Sequence, residues 1–174
     1  MNNFTEELRL AKDNNLTHKV FRNVLEPSKD FDMFFDYIEK TKVDGNYRSD
    51  IDGFYILNGV QKDDLYKFQN AENFENQCAL AYEEPIRSRH GFSIVISELV
   101  MDEPEVKVSG IMKHTDPHDT IHWDYIGESL WTIYDNEGEY EYHLMPGDVI
   151  YVATEIHHQV KSITKRAGII FCAG

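Results

Sequence analysis

The chain has 174 residues, of which 41% are hydrophobic and 28% charged, and its formal net charge is −14. This length and composition match one folded, soluble domain with a sizeable core. The excess negative charge repels phosphate backbones, so we expect no nucleic acid partner. Only two cysteines are present, the N-terminal residues 1–15 have no apolar core of signal-peptide length, and no apolar run reaches the length of a membrane span. We therefore predict a cytoplasmic protein that makes no contact with membranes.

Helical signals dominate the first 85 residues. The predicted helices lie at residues 3–14, at 28–41 and within 61–83. The second has an apolar stripe at helical spacing, and Ser28 is placed to cap its first turn. Residues 53–59 predict a short buried strand between two glycines. We expect residues 1–85 to form a largely helical flank that packs on the outside of the second half of the chain.

Short strands and turns take over after residue 86. The predicted strands lie at 92–100, 107–114, 129–135, 139–144, 148–153, 157–163 and 167–172. Asn136-Glu137-Gly138 predicts a hairpin loop, because glycine accepts the positive φ that such loops need. This density of short strands is typical of a β-sandwich or jelly roll. We predict a single domain over residues 1–174, mainly β, whose core spans 86–174.

Residues 114–123, HTDPHDTIHW, carry three histidines and two aspartates, and three interpretations are open. In a helix that begins at Asp116, His118 and His122 would share one face, although the HExxH pattern of zinc-binding helices is absent. At the end of a strand, His114 and Asp116 would point to the same side, because side chains at i and i+2 do so. In a polar loop all of these side chains would simply be solvated.

The strand interpretation supplies two metal ligands and requires a third from elsewhere. The sequence EIHHQV, at the start of a later predicted strand, is the obvious source through His157 or His158. Two histidines and one carboxylate form the facial triad of non-haem Fe(II) oxygenases, which leaves three coordination positions open.

The pattern around these residues resembles that of the cupin-like Fe(II)/2-oxoglutarate dioxygenases, including the Jumonji-type and ribosomal-protein hydroxylases. Its elements are HxD at 114–116, Gly127, Trp131, LxPGDxxY at 144–151 and HxV at 158–160. The resemblance covers roughly residues 107–172 and implies a double-stranded β-helix. A histidine follows the proline of PGD at the family's spacing, and this places the distal ligand at His158 rather than His157.

By this resemblance, His114, Asp116 and His158 are the catalytic metal ligands. The implied cofactors are Fe(II) and 2-oxoglutarate, and another divalent transition metal can occupy the same ligands. Such enzymes couple the decarboxylation of 2-oxoglutarate to the hydroxylation of a C–H bond. The expected partner is a small molecule, an amino-acid side chain or a peptide, and many members pair through flanking helices, so we also expect a homodimer. His118 and His122 are assigned to supporting positions at the cavity mouth or around the ligands.

The far carboxylate of 2-oxoglutarate needs a cation, and arginine suits it because it binds bidentately. Many Jumonji-like members carry lysine or arginine at the position that is Ser129 here. Other branches place an arginine on the final strand, where Arg166 follows His158 by eight residues. We assign Arg166 as the anchor and Ser129 as its hydroxyl partner. The uncharged Ser129 also keeps open an alternative, a metal-binding cupin that does not use 2-oxoglutarate, such as an isomerase, another dioxygenase or a binding module.

Overall fold

Two antiparallel sheets face each other in the computed structural model of the chain, which describes residues 3–26, 30, 32–44, 47–51, 54–83, 92–97 and 110–174. The elements within these ranges are α1 (Phe4–Asp13), β1 (His18–Phe21), α2 (Asp32–Asp44), β2 (Tyr47–Ile51), β3 (Phe54–Asn58), α3 (Lys62–Leu65), α4 (Ala71–Tyr82), β4 (Phe92–Ser97), β5 (Gly110–His114), β6 (Asp119–Ile126), β7 (Ser129–Tyr134), β8 (Glu139–Leu144), β9 (Val149–Val152), β10 (His157–Ser162) and β11 (Arg166–Ala173).

The order of the strands shows how the chain winds between the sheets. The larger sheet has the order β1-β9-β6-β11-β4-β3-β2, and the smaller has the order β5-β10-β7-β8. Consecutive strands of the second half therefore cross repeatedly from one sheet to the other, and every described pair is antiparallel. This is the winding of a jelly roll. The predicted fold class, mainly β with a double-stranded β-helix, is confirmed.

The larger sheet is covered on both faces along β6, β9 and β11. Its outer face packs on α1 and α4, where the Phe74 ring lies 5.0 Å from that of Trp123 and 4.8 Å from that of Phe171. Its inner face contributes Ile150 and Val152 to a second apolar cluster with the smaller sheet. The helices thus cover the outside of the sheet, as predicted. None of the helices in the described ranges is long and apolar enough to cross a membrane.

Residues 119–126 form a strand, so the helical interpretation of the histidine-rich stretch is wrong. β6 lies between β9 and β11 and is hydrogen-bonded along both edges. Six consecutive residues of β6 are buried, because one face meets the helices and the other meets the interior between the sheets. That double burial removes the alternation of apolar and polar residues by which a strand is recognised.

The first half of the chain contributes more to the sheet than its sequence predicts. β3 matches the predicted strand at 53–59, but β1 and β2 were not predicted; they pair with β9 and β3 respectively. The helix predicted within 61–83 is two helices, α3 and α4, separated by Asn70 in the left-handed conformation (φ 63°). The predicted cap at Ser28 and the outer ends of two predicted strands, at 98–100 and 107–109, lie outside the described residues. The division of the chain at residue 86 stays a prediction.

The PGD sequence has a structural role that its buried aspartate explains. The Asp148 carboxylate accepts hydrogen bonds from the backbone N–H of Met145 (3.0 Å) and of Asn23 (2.9 Å). It also accepts one from Arg22 Nη1 at 2.6 Å. Asp148 therefore closes the turn between β8 and β9 and ties it to the segment after β1.

We expect Asp148→Ala to lower the free energy of unfolding by about 2–4 kcal/mol, because it removes a charged acceptor from a buried site with several donors. Urea unfolding measures this loss. Arg22 is the control, because its side chain is 54% exposed, and we expect Arg22→Ala to cost at most about 1 kcal/mol. Equal losses in the two variants would contradict this account of the turn.

Candidate metal centre

Strand pairing brings the predicted ligands together. β5 and β10 are antiparallel neighbours in which His114 lies directly opposite His158, and the two rings are 4.3 Å apart between centroids. Asp116 lies two residues beyond the end of β5; its carboxylate lies 3.4 Å from His158 Nε2 and 3.9 Å from His114 Nε2. One ligand atom from each of the three residues lies within 4.8 Å of the others. It is the one such group of metal-binding side chains found in the described ranges.

Both imidazoles are oriented for metal binding by their own strands. His114 Nδ1 lies 2.8 Å from the carbonyl oxygen of Met112, and His158 Nδ1 lies 2.9 Å from that of Ile156. A carbonyl only accepts, so Nδ1 carries the proton in each ring and Nε2 keeps its lone pair. Each Nε2 is directed toward the Asp116 carboxylate. This is the arrangement by which proteins usually set the tautomer of a metal-binding histidine.

Asp116 is held as a carboxylate in a fixed place. Burial by itself would raise the pKa of Asp116. When the imidazoles are protonated, the hydrogen bonds from His158 and Thr120 and the attraction of His158 and His114 lower that pKa to about 2, and the bond from Thr120 remains when they are neutral. Thr120 Oγ1 donates to the carboxylate at 2.9 Å. The carbonyl of Asp116 accepts from the backbone N–H of Glu155 at 2.8 Å, which ties its loop to the loop before β10. Asp116, the third predicted ligand, is therefore ionised and anchored at both its backbone and its side chain.

Asp119, the second aspartate of the histidine-rich stretch, is an anchor for the same loop. Its carboxylate accepts from Tyr82 OH at 2.7 Å and from the backbone N–H of Thr154 at 2.9 Å. These bonds connect the start of β6 to α4 and to the loop before β10. His118 and His122, assigned to supporting positions by the sequence, do not belong to the group of three ligands.

Strand alternation separates the two adjacent histidines of β10. His158 is 2% exposed and faces the interior, where its ring stacks on that of Trp131 at 5.7 Å. His157 is exposed and lies with Lys113 and Tyr134 on the opposite face of the smaller sheet. The side chain that reaches Asp116 is His158.

A group of buried polar residues lies deeper in the interior, and we call it the interior charge cluster. Its members are His122, Asp124, Ser129, Ser162 and Arg166, each at most 2% exposed. Arg166 Nε donates to Ser162 Oγ at 2.8 Å, and Arg166 Nη1 lies 3.8 Å from Asp124 Oδ1. The Asp124 carboxylate also accepts from Ser129 Oγ, and His122 Nε2 lies 2.8 Å from Asp124 Oδ1.

The interior charge cluster contains one cation and one anion. Burial lowers the pKa of His122 more than its bond to Asp124 raises it, so the imidazole is neutral. Burial also lowers the pKa of Arg166, against the opposing attraction of Asp124, and an arginine stays protonated in proteins nonetheless. The positive charge of Arg166 is therefore balanced by the negative charge of Asp124.

Trp131 connects the interior charge cluster to the predicted metal ligands. Its ring lies between His158, at 5.7 Å, and His122, at 5.0 Å. Its Nε1 donates to Ser129 Oγ at 3.1 Å. The predicted anchor residues Arg166 and Ser129 thus share the barrel interior with the predicted metal ligands.

Sequence reasoning missed Asp124, which is fully buried. A signal was present, because His122-Trp123-Asp124 repeats the HxD pattern of 114–116 one strand later. On a strand, the first and third residues of that pattern face the same side. That signal is weak, because charged residues are mostly exposed and an HxD pattern alone does not show that its aspartate is buried.

Comparison with known proteins supports the fold. No protein-family model matches the sequence, and no curated protein matches it. Among solved structures, that of E. coli YcfD is similar, with a TM-score of 0.59 and 12% identity over 89% of this chain and 49% of that chain. Two structures of this ribosomal oxygenase, one with cobalt and succinic acid and one with cobalt and 2-oxoglutarate, give a TM-score of 0.52 at 13% identity over 89% of this chain and 47% of theirs.

The chain spans about half the length of YcfD. At this level of identity the likeness concerns the fold. The chain has a double-stranded β-helix fold, as the resemblance based on the HxD, PGD and distal histidine pattern implies.

A substitution at Gly168 can test how closely β11 approaches β6 at the interior charge cluster. A Cβ at Gly168 would lie 2.4 Å from His122 Cε1 and 2.6 Å from His122 Nε2. We expect Gly168→Ala to lower the free energy of unfolding by about 1–3 kcal/mol, because the ring must leave Asp124. The same substitution in a His122→Ala background should cost much less, since the obstructing ring is gone. Urea unfolding of the four proteins measures the coupling, and additive losses would contradict this contact.

Proposed function

We propose that the chain is an Fe(II)-dependent oxygenase whose metal is held by His114, Asp116 and His158. The observation that carries the proposal is the approach of one ligand atom from each of these three residues to within 4.8 Å of the other two. The donor set fits a divalent transition metal, because both imidazoles keep Nε2 unprotonated and the carboxylate is ionised. A facial set of two histidines and one carboxylate leaves open positions for O₂ and a chelating co-substrate.

We further propose 2-oxoglutarate as the co-substrate and a C–H hydroxylation as the reaction. The support is a buried cation, Arg166, on the strand that the resemblance implies, with the hydroxyl of Ser129 nearby. A planar guanidinium binds a carboxylate bidentately. Bound at the metal, 2-oxoglutarate would supply the electrons that reduce O₂. The chain's own part is to hold the metal, to orient the acid through Arg166, and to line the interior with Trp131, which keeps water away from it.

The substrate class we propose is a small molecule or an amino-acid side chain, free or within a peptide. The net charge of −14 favours a neutral or cationic substrate over an anionic one.

A second candidate function, a metal-binding cupin that does not use 2-oxoglutarate, is favoured by one observation. The Asp124 carboxylate lies 3.8 Å from Arg166 and already neutralises it. Elemental analysis of freshly purified protein separates both candidates from a binding module without metal. The formation of succinate then separates the two metal-dependent candidates from each other.

The predicted ligands are tested by anaerobic titration of the protein with Fe(II). We expect His114→Ala and His158→Ala each to weaken binding by at least about 100-fold, because each removes a direct ligand. His157→Ala is the matched control, since its side chain is exposed on the other face of β10, and it should bind Fe(II) as the wild type does. Unchanged binding in both ligand variants would refute the proposed centre.

The proposed co-substrate is tested with the iron-loaded protein, 2-oxoglutarate and O₂, by measuring succinate. We expect succinate even without the true substrate, in an uncoupled reaction. Arg166→Lys keeps the buried charge but loses the bidentate contact, so it should raise the KM for 2-oxoglutarate by about tenfold or more. Lys161→Ala, on the exposed face of β10, is the control. If the loaded protein makes no succinate and does not bind 2-oxoglutarate, the second candidate is the better one.

A further inference from the structure

Asp124 is a buried carboxylate for which the proposed reaction has no use. It is fully buried, and its two oxygens are engaged by Ser129 and His122 while Arg166 lies 3.8 Å away. A carboxylate at this place has the same partners, a guanidinium and a hydroxyl, that the far carboxylate of 2-oxoglutarate would require. Asp124 thus occupies the position beside Arg166 that the far carboxylate of 2-oxoglutarate would take.

A second carboxylate at Arg166 would upset the balance of charge. The interior charge cluster holds one cation, Arg166, and one anion, Asp124, at most 1% exposed. Another anion beside Asp124 would face like-charge repulsion, and water does not screen it at such a depth. An uncharged group that donates a hydrogen bond would instead be attracted to Asp124, because the carboxylate accepts that hydrogen bond.

The interior charge cluster is placed to meet the distal end of a ligand held at the metal. The ring of Trp131 lies 5.7 Å from that of the metal ligand His158 and 5.0 Å from that of His122, which contacts Asp124. A ligand that chelates the metal and extends along Trp131 would reach Asp124 and Arg166 together. Its distal group would therefore contact both Asp124 and Arg166, and not Arg166 alone.

We propose that Asp124 determines co-substrate specificity: by holding Arg166 it disfavours a 2-oxo acid with a distal carboxylate and favours one with a distal amide. The inference rests on the proposed metal site and changes the preferred co-substrate: 2-oxoglutarate would still bind at the metal, but more weakly than the acid with a distal amide. Asp124 acts here on binding and not on the chemical step.

The test compares two probes that differ only at the distal end, 2-oxoglutarate and 2-oxoglutaramate, in which an amide replaces the far carboxylate. Each is titrated into the Co(II)-loaded protein, and binding is followed by calorimetry and by the visible absorption of the metal. We expect the wild type to bind the amide at least tenfold more tightly. Equal binding, or a preference for 2-oxoglutarate, would overturn the proposal without the need for any variant.

Asp124→Asn removes the competing negative charge beside Arg166. We expect it to reverse the preference, so that 2-oxoglutarate gains at least tenfold in affinity while the amide gains nothing. Glu128→Gln is the matched control; it removes one carboxylate that is 28% exposed, four residues along the chain, and should leave both affinities as they are.

The same samples distinguish the two levels of the proposal. A wild-type protein that fails to bind Co(II) contradicts the proposed metal centre itself. A protein that binds Co(II), but in which Asp124→Asn leaves the ratio of the two affinities unchanged or neither acid binds, contradicts the role of Asp124 alone.

Discussion

The register between β5 and β10 is the constraint on which the candidate metal centre depends. It sets His114 opposite His158, and their rings lie 4.3 Å apart. Because side chains alternate along a strand, a slip of one residue would turn His158 outward and bring His157 in. The register is maintained from the other side of β10, where six consecutive residues pair with β7. The smaller sheet therefore aligns the two histidines of the proposed centre, and a short loop supplies Asp116.

Covering the larger sheet on both faces has a chemical consequence for the barrel interior. The helices cover the outward residues of β6 and the smaller sheet covers its inward residues, so neither set has access to water. His122 and Asp124 must then find partners among themselves and on β7 and β11, since a buried polar group without a hydrogen bond is costly. The interior charge cluster is the result. It lies beside Trp131, whose ring also stacks on that of His158.

The sequence predicts the part of the site that depends on local alternation. His114 and Asp116 are two residues apart at a strand end. His158 follows the PGD turn at a distance that the turn and the next strand determine. The convergence of the three residues can therefore be predicted from the sequence. β6 cannot be predicted in this way, because burial on both faces removes the alternation of apolar and polar residues along the strand. The pairing of Asp124 with Arg166 depends on β6 and β11 being neighbours, and 41 positions of sequence separate the two residues. Sheet order of this kind is tertiary information.

The position of β5 at the end of the smaller sheet gives the proposed metal ligands a second role, which is to hold this strand in place. β5 is the end strand of that sheet, and Met112, in its centre, is 76% exposed. End strands are held along one edge only and are the first to open. A metal bound by His114 and His158 would cross-link β5 to β10 and so hold the end strand to its neighbour. Occupancy of the site and closure of the barrel at β5 would then be thermodynamically linked, so the metal that serves the chemistry would also complete the wall around it.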